Sequence, residues 1–230
     1  MPTPARALLP FLALAAAGAA ELMPINDLRV GVSVGVLAPD VSESLRQGTR
    51  RDTLDWSGNH GMTLRYEVDY FNGLSRRGIA RPGFIWGLGA LYSDTDIRPS
   101  SFGPGSASRP HTALQYRQYG ASLYGGYATA PTITSYGEMV WEFLPVVRGG
   151  YAWGETIDDV SGSSRAGGGS FWETGGQVGW TLQDKGWLLN LYAGYTYGIA
   201  SIPIDVTNGS STLTITRSTP EVGLTIGGRF

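Results

Sequence analysis

Eight stretches of this chain alternate apolar and polar residues with a period of two, and the connections between them alternate as well. The stretches are 28–38, 61–71, 82–93, 113–128, 137–157, 170–182, 187–199 and 213–230. Period two marks an extended strand whose two faces meet different surroundings. Most of these stretches exceed the five or six residues usual for a globular strand. They fit the roughly 9–11 residues that a tilted strand needs to cross a bilayer. The connections run long and short in turn: 39–60, 72–81, 94–112, 129–136, 158–169, 183–186 and 200–212. The long ones are polar, as in DVSESLRQGTRRDTLDWSGNH and SDTDIRPSSFGPGSASRPH, while QDKG at 183–186 has the composition of a hairpin turn. Turns at one end and long excursions at the other predict an all-β fold, an eight-stranded antiparallel transmembrane β-barrel with up-and-down connectivity.

A water-soluble sandwich also alternates, so the faces have to decide. Met62, Leu64, Tyr66, Val68 and Tyr70 oppose Thr63, Arg65, Glu67 and Asp69, and Val222, Leu224, Ile226 and Phe230 oppose Glu221, Gly223, Thr225 and Arg229. Aromatic residues on the apolar face gather near strand ends. Tyr70, Phe84, Trp86, Tyr127, Trp141, Trp180, Trp187 and Phe230 fall at the turn end, and Tyr92, Trp153, Trp172, Tyr195 and Tyr197 at the other. Two such girdles mark two water–hydrocarbon boundaries. Charges avoid the apolar face in mid-strand, where an arginine would cost about 2–4 kcal/mol. Arg117 shares its parity with Tyr119, Ala121 and Leu123, so this register requires it to stand above the hydrocarbon.

Composition agrees. The chain has 34 Gly, 12 Tyr and 7 Trp, and 16% charged residues, which disfavours helices and favours strands. With no cysteine, stability must come from backbone pairing and packing. A net charge of −2 gives no electrostatic footprint for nucleic acid. Residues 1–20, MPTPARALLPFLALAAAGAA, have one early cation, a short apolar run and small residues before a cleavage point, and are expected to be a signal peptide. Residues 21–230 are then expected to form the barrel. No later apolar run approaches the length of a transmembrane helix.

The alternation continues to the last position, through Val222, Leu224, Ile226 and Phe230. A closed barrel must pair its last strand with its first. A terminal Phe on the lipid face resembles the C-terminal signal that the barrel-assembly machinery reads in bacterial outer-membrane proteins. From about residue 25 onward the chain resembles the small eight-stranded outer-membrane barrels, which include the OmpA membrane domain, OmpX and the opacity-type proteins. The resemblance lies in architecture; it implies an outer-membrane location and leaves the activity open.

The residues expected to face inward include Arg29, Arg65, Glu67, Asp69, Glu138, Glu142, Arg148, Glu221 and Arg229, together with Glu173, Gln177 and Asn190. Eight strands leave room for little more than side chains, and a cation there must be paired. The charges therefore read as an ionic plug, with a narrow gated water path as the sharper reading. Some small barrels modify lipid A with a His general base near the outer rim. Here only His60 and His111 exist, and neither has the His-x-Ser arrangement, so they are weak catalytic candidates. RAGGGS at 165–170 reads as a flexible loop, NGS at 208–210 as a turn, and TIDDVSG at 156–162 as a solvated loop. No cluster suggests a metal, and no cofactor is expected. The expected function is a non-enzymatic outer-membrane protein with a structural, adhesion or surface-interaction role through its long loops. A small gated channel and a lipid A-modifying enzyme are the alternatives. The expected partners are outer-membrane lipid and lipopolysaccharide, the assembly machinery and an extracellular ligand, around a monomer.

Overall fold

A computed structural model describes residues 23–47, 49–75, 83–102, 112–158, 163–206 and 209–229. The expected signal peptide, His111, Asn208 and Phe230 lie outside the described residues. Ten strands follow in order: β1 (Met23–Leu37), β2 (Asp40–Gln47), β3 (Arg50–Ser75), β4 (Gly83–Phe102), β5 (Thr112–Ala128), β6 (Thr132–Thr134), β7 (Gly137–Asp158), β8 (Ser164–Asp184), β9 (Trp187–Val206) and β10 (Gly209–Arg229). All pairings are antiparallel, and β1 pairs with both β3 and β10, which closes the ring. β2 continues β1 between the same two neighbours, and β6 pairs only with β7. The ring therefore has eight staves. Closure leaves no backbone edge facing lipid.

The stave formed by β1 and β2 is interrupted at Ala38–Pro39, where proline has no N–H to give the ladder. Its register with β10 continues unbroken across this point. Against β3, however, Leu37 pairs with Gly61 and Val41 with Trp56, so β3 carries one extra residue there. This is a β-bulge. The buried Asn59 closes it, its Nδ2 donating to the Pro39 carbonyl at 3.0 Å. Pro145, where a bulge was also conceivable from sequence, makes none. Tyr124↔Val146 and Tyr127↔Phe143 keep one register on either side of it. At 183–186 the chain reverses in a tight hairpin, with Lys185 at φ 45° and Gly186 at φ 89°, the left-handed pair that a type I′ turn requires.

The staves are longer than the alternation predicts, and this corrects the loop boundaries. Most of 39–60, 94–112, 158–169 and 200–212 is strand rather than loop, and RAGGGS at 165–170 lies within β8. These segments are polar because their outward residues meet water. In upper β10, Thr212, Thr214 and Thr216 point outward while Leu213 and Ile215 are buried inside. A stave of 20 residues, such as β4, is about 66 Å long at ~3.3 Å per residue. Tilted by about 40°, it rises about 50 Å along the axis, against an apolar band of about 25 Å. The barrel therefore has two storeys. The membrane storey ends on the side of the 183–186 hairpin, and the outer storey continues the same walls into water.

Candidate functional site: the barrel interior and its outer wall

In the membrane storey the wall turns Val30, Val34, Val68, Leu88, Val147 and Ile226 outward. A patch of this extent is found on a soluble monomer only where something covers it. Aromatic rings border it. At the outer boundary Tyr66, Tyr92, Tyr119 and Tyr151 are cross-strand neighbours on four consecutive staves. Tyr66 and Tyr92 stack at 6.2 Å between centroids, and Tyr92 and Tyr119 sit at 5.1 Å.

The interior behind that band is ionic and is built in tiers. Nearest the turns, Arg29 grips Glu142 across the barrel in a bidentate pair of 2.6 and 2.7 Å. Its guanidinium also lies 4.3 Å from the Phe71 ring centroid and 3.3 Å from Asp27. Asp27 in turn accepts from Arg229 at 2.7 and 3.0 Å, and Arg229 reaches Gln183. In the middle tier Arg148 pairs with Glu67 at 2.9 Å and with Glu221 at 3.4 Å. Tyr124 and Tyr192 donate to the two oxygens of Glu67 at 3.2 and 3.3 Å. Gln177 donates to Glu221 at 3.3 Å, and Arg65 joins this tier to the next by bridging Glu221 and Glu173. In the third tier Glu173 also accepts from Gln118 at 2.7 Å and from Arg217. Every one of these arginines thus meets carboxylates, which offsets the several kcal/mol that burial costs each ion.

One carboxylate stands apart. Asp27, Glu67, Glu142, Glu173 and Glu221 each contact an arginine, whereas Asp69 has no ion pair among the described residues. Its Oδ1 is buried without a hydrogen-bond partner. That oxygen occupies the space where a side chain at Gly89, its cross-strand partner, would begin, so any larger residue there would push the Asp69 carboxylate aside.

Above Arg217 the interior changes character. The Arg217 guanidinium lies 5.3 Å from the Tyr116 ring centroid, and beyond that ring the lining is mainly apolar, with buried Glu43 accepting from Ser211 at 2.9 Å. Leu37, Val41, Ile97, Phe171, Ile202 and Leu213 belong to one buried cluster there. Ile97, Leu114, Ile202, Leu213 and Ile215 have 0% exposure. Such side chains border no void large enough for water, so among the described residues the outer storey is a packed core rather than a vestibule.

The sequence-derived set divides as follows. Arg29, Arg65, Glu67, Glu142, Arg148, Glu173, Gln177 and Glu221 lie in the tiers just described, and Asn190 donates to Thr181 at 2.7 Å beside them. Arg229 is at the turn-side rim. Glu138 is half-buried in a rim cleft of about 210 Å³ lined also by Gln183, Lys185 and Arg229. His60 is exposed on the outer wall of β3. Val222 and Ile226 face outward with Leu224 half-buried on the same parity. Sequence reasoning missed Asp27, Gln118, Tyr124, Tyr192 and Arg217. For Arg217 a signal existed, since it lies an even number of residues from Glu221 and so shares its face.

No family model matches the chain, and neither does any curated protein. Among solved structures, similarity is found to OprG from Pseudomonas aeruginosa, at 12% identity over 91% of this chain and 97% of that one, with a TM-score of 0.46. Neisserial surface protein A matches at 12% identity over 86% and 96%, with a TM-score of 0.37. Ail, the attachment invasion locus protein of Yersinia pestis, matches at 10% over 88% and 99%, with a TM-score of 0.27. The closed ring, the outward apolar band and its aromatic borders carry the conclusion in this chain's own residues. The chain is an eight-stranded antiparallel β-barrel of the bacterial outer membrane.

Proposed function

We propose that this barrel is a non-conducting surface protein that stands above the membrane and makes contacts through the outer storey. The observation that carries the reading is the filling of the interior, ionic below and apolar above, with 0% exposure at Arg65 and at Ile202 alike. A barrel plugged twice has no use for its lumen, while a wall continued into water holds its connecting segments on a rigid support. Long strands prolonged by a hydrophobic core are a costly way to build a membrane anchor alone. They suit a platform that must keep its shape in water.

Two measurements test this. In planar bilayers the purified barrel gives no conductance steps; regular steps would favour the channel instead. In cells, replacing residues 41–56 and 94–114 with short turns leaves envelope permeability unchanged but abolishes surface binding, scored as cell–cell aggregation and adhesion to immobilised glycans. Binding that survives the truncation would overturn the platform reading. The lipid A-modifying alternative keeps its own test: His60→Ala and His111→Ala leave the lipid A mass profile of expressing cells unchanged if the barrel is not an enzyme.

A further inference from the structure

One cation on the lipid-facing parity, Arg117, stands beside the outer tyrosine row together with its cross-strand carboxylate Asp94. Arg117 on β5 lies two residues from Tyr119, and its guanidinium is 5.1 Å from the ring centroid of Trp153, its cross-strand partner on β7. On its other side Asp94, its partner on β4, approaches to 3.6 Å. That distance is too long for a hydrogen bond. Arg117 makes none among the described residues, and its Nε is shut off from solvent without a partner. The two side chains are about equally open, 37% and 47% exposed. The Trp153 ring thus supports the guanidinium, while its outer N–H pair is unused.

We propose that Arg117 anchors a phosphate of the outer leaflet's lipopolysaccharide, with Trp153 orienting the guanidinium and Asp94 competing for it. Depth supports this occupant. The row Tyr66–Tyr92–Tyr119 marks the boundary between hydrocarbon and head groups, and Arg117 lies just on the head-group side of it. Charge supports it too, because a guanidinium at that boundary fits an anion, and its planar fork matches two oxygens of a phosphate. Asp94 at 3.6 Å does not satisfy that fork. Higher on the same wall Arg98 is already engaged by Asp96 at 3.2 and 3.3 Å, whereas Arg117 makes no hydrogen bond among the described residues. The inference does not depend on the surface-contact reading; it would stand for a channel or an enzyme in the same barrel.

The test uses the full mature barrel in phosphatidylcholine nanodiscs doped with diphosphorylated lipid A. Lipid A retained after detergent extraction is counted by native mass spectrometry, and each variant is first checked for the mobility shift of a folded barrel. Arg117→Gln is expected to lower retention about threefold to fivefold, the scale of a half-exposed charge pair. Asp94→Asn removes the competing carboxylate and is expected to raise retention. That second variant keeps the test decisive if Arg117→Gln does not assemble. Dephosphorylated lipid A should erase both differences. Retention equal in all three proteins, or the same loss with dephosphorylated lipid A, overturns the proposal and leaves Arg117–Asp94 as a bare interfacial ion pair.

Discussion

The membrane storey and the outer storey are built from the same staves, yet each is turned inside out relative to the other. β10 carries both arrangements in one strand. Near the turns it puts Val222 and Ile226 outside and Glu221 inside; toward the outer rim it puts Thr212, Thr214 and Thr216 outside and Leu213 and Ile215 inside. The strand does not change which residues face inward. What changes is the solvent outside. In water an apolar core is stabilising by roughly 25 cal/mol per Å² removed from water, so the outer storey is organised like a soluble domain. Against lipid that driving force is absent, because the outside is as apolar as any core. The membrane storey instead ties opposite walls with charged hydrogen bonds, such as Arg29–Glu142 across the barrel. Each storey uses the interaction that its surroundings leave strong.

The difference should appear first where an ion pair is broken. Arg65 bridges Glu173 and Glu221 at 0% exposure, so Arg65→Met leaves two buried carboxylates short of a partner. The expected loss is about 3–5 kcal/mol, read as a lower urea midpoint for the folded-barrel gel band in vesicles. A loss under about 1 kcal/mol would mean that water enters the lower interior after all.

A second experiment places one charge at two heights on one wall. Val222→Arg puts it against hydrocarbon at an expected cost of about 2–4 kcal/mol. Thr214→Arg, outward on the same strand, should change stability by less than about 0.5 kcal/mol, as for an ordinary surface site. Equal costs at both sites would place the outer storey in the membrane and remove the distinction.

Ile202→Ala then probes the apolar core by itself. A large-to-small change at a fully buried site costs about 2–5 kcal/mol. Its effect should be local: protease on intact cells gains access to the outer storey while the boiling-dependent mobility shift remains. Loss of both together would show that the storeys fold as one unit.

The alternation that made the membrane storey legible is also what hid the outer one. Reading for apolar residues on one face works while lipid is outside, as with Met62, Tyr66 and Val68 opposite Arg65, Glu67 and Asp69. Above the girdle the apolar residues move to the other face, and DVSESL looks like a polar loop with stray hydrophobes. That is why the loops came out too long, and why Arg217 was passed over beside Leu213 and Ile215. The inward parity of Glu221 and Arg148 could be read locally. Their meeting, along with the roles of Tyr124 and Tyr192, depends on ring closure and stagger, which pair residues far apart in the chain. Glu138 shows the converse limit: parity gives the face, but height along the stave left it at the rim.

The smallest expected effect is the most informative about how the ionic storey is balanced. Arg29, Arg65, Arg148, Arg217 and Arg229 meet Asp27, Glu67, Glu142, Glu173 and Glu221, and Asp69 is the carboxylate left over. Removing the charge of a paired carboxylate should be costly, because an arginine is then stranded. Removing that of Asp69 strands nothing, and asparagine keeps the shape that fits against Gly89. Asp69→Asn should therefore shift stability by less than about 1 kcal/mol or raise it, while Glu221→Gln, which weakens the holds on Arg65 and Arg148, costs about 3 kcal/mol or more. The comparison uses the same urea titration for both variants. Equal losses would mean that Asp69 is as firmly held as its neighbours and that the arginines balance six carboxylates collectively rather than five in pairs.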